Sequence, residues 1–122
     1  DQLEQIQIFI RSKKLRVYVL SSDEIEEVIN LKTKRNLRRI TDKSVLWKAL
    51  KLKCRLLTGD KNLRSEAKEQ GLEVNGSLWV IRTLIETKII SPAVATELLE
   101  KLKKVNDSLP KDEIEKLIKK YQ

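Results

Sequence analysis

The sequence predicts an α/β fold with a mostly parallel sheet. Three short apolar runs that suit buried strands are interleaved with stretches of helical periodicity, and no repeat, low-complexity segment or long linker divides the chain. The 122 residues suffice for one domain, 1–122, with one modest core.

The elements follow in order. Leu3, Ile6, Phe9 and Ile10 give a first helical face, closed by the polar run Ser12 to Lys14. Leu15 to Leu20, LRVYVL, is apolar at nearly every position and predicts a strand covered on both faces. Ser21 with Glu24 forms a capping box, and Ile25, Val28 and Ile29 make the buried stripe of a helix reaching about Thr33. Thr41 is read as the cap of the next helix. Asp42 opens it, and Val45, Leu46, Ala49 and Leu50 form its apolar face. Cys54 to Thr58 is the second strand, and Gly59-Asp60 turns it into a helix from Lys61 with Leu63 and Ala67 inside. Gly71 ends that helix, Leu72 to Val74 is the third strand and Asn75-Gly76 a turn.

A helix from Ser77 carries Leu78, Ile81, Leu84 and Ile85 and stops near Lys88. Ser91-Pro92 caps the next one, whose face is Val94, Leu98, Leu99, Leu102 and Val105. Asn106 to Ser108 breaks it, and Pro110 starts a final helix with Ile114, Leu117, Ile118 and Tyr121 on one side and Asp112 and Glu113 in its first turn.

Composition narrows the function classes. A net charge of +8 with 36% charged residues favours a polyanionic partner, nucleic acid before an anionic membrane, although lysine-rich solvated helices produce the same balance. No apolar run approaches the roughly 20 residues of a spanning helix, and no basic-then-apolar leader is visible, so a cytoplasmic protein without membrane contact is expected. The absence of Met leads to the expectation that residues precede Asp1 in the natural protein. The single Cys54, inside an apolar strand and with no His to activate it, reads as a buried thiol.

The chemistry concentrates between Ile40 and Arg64. Asp60 ends a strand at the carboxyl edge of the sheet, where ligands bind in open α/β folds, and Asp42 opens the preceding helix. Two carboxylates held at one edge repel each other, and a divalent cation is the usual way to keep both charged. Taken singly, Asp42 equally complements a helix N-terminus and Asp60 equally serves as a cap. The basic residues Lys32, Lys34, Arg35, Arg38, Arg39, Lys61 and Arg64 flank the pair and suit the phosphates of a strand, or simply a solvated connection. Trp47 and Trp79 are expected to pack in the core, since only five aromatics are available to fill it.

Asp42, the triplet Thr58-Gly59-Asp60 eighteen residues later, and the downstream GLEVNGSLW resemble the second half of a PIN domain, the metal-dependent ribonuclease fold of VapC-type toxins. The resemblance covers Arg16 to Tyr121. It implies a PIN-like α/β/α sandwich in which Asp42 and Asp60 are the third and fourth acidic positions, binding Mg²⁺ or Mn²⁺, with Thr58 orienting a carboxylate or a water. It also implies endoribonuclease activity, RNA held by Arg35, Arg38, Arg39, Lys43, Lys61 and Arg64, an antitoxin protein as partner, and a homodimer for which the helix from Pro92 to Val105 has a suitable face. The family's first strand with its Asp, and its early helical Glu, would lie upstream of Leu3. Arg39 and Lys43 depart from the pattern, which has a Ser and a small residue there. These departures keep open a second reading, a PIN fold without catalysis that binds nucleic acid or protein, and a third, a nuclease acting on DNA.

Overall fold

A computed structural model describes residues 1–107 and 109–122; Ser108, expected with Asn106 and Asp107 to break the helix from Pro92, lies outside them. The chain forms two compact units, Asp1–Leu31 and Lys32–Gln122. The first holds helix α1 (Gln2–Arg11) and helix α2 (Ser22–Ile29). Both begin with capping boxes, Asp1 with Glu4 and Ser21 with Glu24, so an otherwise free N–H of each first turn is met by the cap side chain. α1 buries none of its residues. Between the helices, Arg16 to Leu20 is not a strand, contrary to the expectation for LRVYVL, and Val19 is 88% exposed. β-branched composition favours extended backbone, but a strand needs a paired neighbour, and none of the described residues pairs with this segment.

The second unit runs α3 (Ile40–Leu52), β1 (Leu56–Leu57), α4 (Lys61–Glu69), β2 (Val74–Asn75), α5 (Ser77–Glu86), α6 (Pro92–Val105) and α7 (Lys111–Tyr121). β1 and β2 pair in parallel, Leu56 opposite Val74 and Leu57 opposite Asn75. Flanking ladder bonds run from Leu56 N–H to Glu73 O at 2.9 Å and from Thr58 N–H to Asn75 O at 3.0 Å. Helix α4 is the crossover between them, the unit expected of an α/β fold. The described strands number two rather than three, so the parallel order holds while the predicted layered sandwich is not clearly formed.

Several details differ from expectation. α3 is preceded by Arg39, not Thr41, and its buried residues are Leu46, Trp47 and Ala49, with Val45 left exposed. The stripe is therefore one residue further round, which puts the indole inside and makes the expected packing of Trp47 correct. The second strand shrinks to Leu56–Leu57, leaving Cys54 exposed rather than buried. Its backbone N–H turns back to Ala49 O in the C-terminal turn of α3, before the ladder begins. On α6 the inward residues are Ala95 and Leu99, while Val94 and Val105 are exposed.

One core cluster joins α5, α6 and α7 through Ile81, Ala95, Leu99, Ile114, Leu117 and Ile118, with Lys103 and Glu115 paired across the last two helices. The Ser91 cap and Pro92 at the first position of α6 are as expected. At the end of α4, Gly71 takes φ +88°, a left-handed conformation that costs glycine least.

Candidate active site

Two helix N-termini build the site. Asp60 is the N-cap of α4, and its Oδ1 accepts from the Leu63 N–H at 2.7 Å. The Thr58 Oγ1 accepts from the Asp60 backbone N–H at 3.1 Å, so Thr58 positions Asp60 through its main chain rather than through its carboxylate. Asp42 lies in the first turn of α3, where a negative charge is favoured by the helix dipole. The two carboxylates line one cleft of about 310 Å³ together with Arg38, Arg39, Asn36 and Asn62.

The connection carrying Arg38 and Arg39 is held down by Glu66, which is 1% exposed. Its Oε1 accepts from the Lys34 N–H at 2.9 Å and from Gln70 Nε2 at 2.9 Å, and its Oε2 accepts from the Arg35 N–H at 3.1 Å. Burial pushes this carboxyl up. The hydrogen bonds from Gln70, Lys34 and Arg35, with the Arg35 charge, outweigh it and hold the pKa below the ordinary glutamate value.

Arg35, expected among the RNA contacts, is engaged by two carboxylates. Its guanidinium lies 3.5 Å from Glu66 and 2.9 Å from Glu69, and the latter hydrogen bond is the main cause of the lowered Glu69 pKa. A carboxylate as buried as Glu66 requires a partner, and Arg35 supplies it. Lys43 and Lys61 are not among the residues lining the cleft. Arg64 faces elsewhere: one turn beyond Asp60, its Nη2 donates to Thr58 O at 3.1 Å, under the ends of the strands. Gly76 makes room for it, since a Cβ there would stand 2.7 Å from that nitrogen. Trp79 is half-buried, with the Arg55 guanidinium 4.7 Å from its ring centre.

Sequence reasoning missed Glu66, Asn36 and Asn62. Glu66 had a signal, because it shares the i, i+3, i+4 face of Leu63 and Ala67. The two asparagines had none.

A family model described as a PIN domain matches residues 3–122. The chain belongs to the PIN domain family. No curated protein and no solved structure matches it. PIN domains are in general nuclease-like and typically use divalent metals. Asp42 and Asp60 offer hard carboxylate oxygens of the kind Mg²⁺ and Mn²⁺ take, and one or two carboxylates with water and substrate phosphates is a usual Mg²⁺ set. Among the described residues no third acidic, His or Cys side chain joins them. The fit to this PIN domain is therefore one of donor type, in an open site. Among the described residues, no helix is long and apolar enough to cross a membrane.

Proposed function

We propose that the cleft hydrolyses phosphodiester bonds of RNA with Mg²⁺ or Mn²⁺ held by Asp42 and Asp60. The observation that carries this reading is the shared cleft itself: two carboxylates from two helix N-termini, with two arginines on the same walls. Held by Asp42 and Asp60, such an ion would supply an activated water and neutralise charge on the scissile phosphate. The Leu63 N–H holds Oδ1 of Asp60 and the Thr58 hydroxyl accepts from the Asp60 N–H, so the other carboxylate oxygen is presented without reorganisation. Arg38 and Arg39 hold the flanking phosphates, and Lys61, exposed at the first position of α4, adds charge nearby. Such an activity would suit the toxin of a toxin–antitoxin pair, with an antitoxin protein as partner, acting in the cytoplasm.

The second reading, a non-catalytic PIN domain that binds nucleic acid or protein, is favoured by the count of two carboxylates in the cleft. Incubation of labelled single-stranded RNA with Mn²⁺, with EDTA, and with an Asp60→Asn variant separates the two. Cleavage that needs both the metal and Asp60 supports hydrolysis. RNA that is bound but intact in every arm replaces it with the binding module, and a DNA strand of the same sequence shows which backbone is preferred.

A further inference from the structure

A second cavity, of about 210 Å³, is lined by Arg64 and Lys68 of α4, Ser77, Trp79 and Arg82 of α5, and Glu113 of α7. Three cations face one carboxylate. Lys68 and Arg82 are exposed and engage no other side chain among the described residues. Arg64 uses Nη2 on Thr58 O, while its Nε is buried and has no hydrogen-bond partner there. The first turn of α5 borders the same cavity, and its N-cap Gly76 provides no side-chain acceptor for the turn's N–H groups. Unpaired cations, open amides and an indole at the wall match a phosphate with its base, and an open pocket suits a passing strand.

We propose that this pocket binds a backbone phosphate of single-stranded nucleic acid. It is a second anchor for the strand that enters the acidic cleft, and in that respect it rests on the function proposed above. Helix α4 connects the two places: Asp60 and Asn62 line the cleft, Arg64 and Lys68 the pocket. Along the helix axis Asp60 and Lys68 are about 12 Å apart, a span that a few nucleotides cover. The Glu113 carboxylate repels phosphate, which leaves Lys68 and Arg82 to carry the contact.

The test is fluorescence anisotropy of a labelled single-stranded RNA on the full chain in EDTA, where binding is read without cleavage. Lys68→Ala and Arg82→Ala, both at exposed positions, each weaken binding several-fold. Each also lowers the slope of log affinity against log salt by about 0.7. Lys119→Ala, an equal loss of charge on α7, leaves both unchanged, and millimolar adenosine monophosphate leaves the RNA bound. The proposal is overturned if the unsubstituted chain does not bind RNA, if the two variants bind as it does, or if Lys119→Ala weakens binding equally. Complete displacement by the mononucleotide also overturns it and assigns the pocket to a free nucleotide. A chain that binds in this pattern yet never cleaves with Mn²⁺ loses the hydrolytic function and keeps the anchor.

Discussion

Arg35 meets the buried carboxylate of Glu66 twice, through its backbone N–H at 3.1 Å and through Nη1 at 3.5 Å. The contact spans 31 residues and ties the connection before α3 to the middle of α4. Replacing Glu66 with Ala strands two backbone donors and leaves Arg35 without one of its carboxylates. A stability loss of about 2–4 kcal/mol is expected in urea unfolding, and Glu66→Gln, which keeps one acceptor, should lose less.

The same contact sets an acid limit. Glu66 and Glu69 both have folded pKa values below the ordinary one. Their stabilising contribution is present above the unfolded value of about 4.3 and is lost as pH falls through the lower folded values. Unfolding midpoints measured from pH 6 to pH 3 should fall most steeply below about pH 4.3, and the fall should be shallower in Glu66→Gln.

Asp60 combines two duties that substitution can separate. Asparagine is as good an N-cap as aspartate, so Asp60→Asn should change stability by only a few tenths of a kcal/mol. Asp60→Ala should cost about 1 kcal/mol. Both should lose cleavage by more than the roughly 10- to 100-fold typical of an outer-shell metal partner, and Asp42→Asn should do the same. Retained cleavage in Asp60→Asn would remove the carboxylate from the chemistry.

Gly76 and Arg64 form a coupled pair. Gly76→Ala should push the guanidinium off Thr58 O and cost about 1 kcal/mol, as Arg64→Ala should. The double variant should cost little more than either alone, because both break the same bond. Additive losses in thermal unfolding would show that the two act independently.

Lys53 closes α3 with φ 51°, a left-handed conformation that lysine adopts at a cost. Lys53→Gly should raise stability by about 0.5–1 kcal/mol, readable as a higher urea midpoint with unchanged slope.

What was legible in the sequence was local chemistry. Ser21 with Glu24, and Ser91 with Pro92, announce helix starts because a cap bonds to residues two or three positions away. The common cleft of Asp42 and Asp60 was legible from a strand ending in Thr58-Gly59-Asp60. LRVYVL misled because extended propensity says nothing about whether a neighbouring strand is present. The ion pairs of Arg35 were not legible because its carboxylate partners are more than thirty residues away, and a cation's sequence neighbours do not reveal them.

Helix α4 and its N-cap carry in order Asp60 at the cleft, Arg64 beneath the strand ends, Glu66 clamping the Lys34–Arg35 backbone and Lys68 in the cationic pocket. Each depends on the angle at which its side chain leaves the helix. Inserting a single residue after Asn62 would turn everything downstream by about 100°. Clamp, bracket and second pocket would then fail together while the acidic cap stayed in place, so this segment tolerates exchange of residues far better than a change in its length.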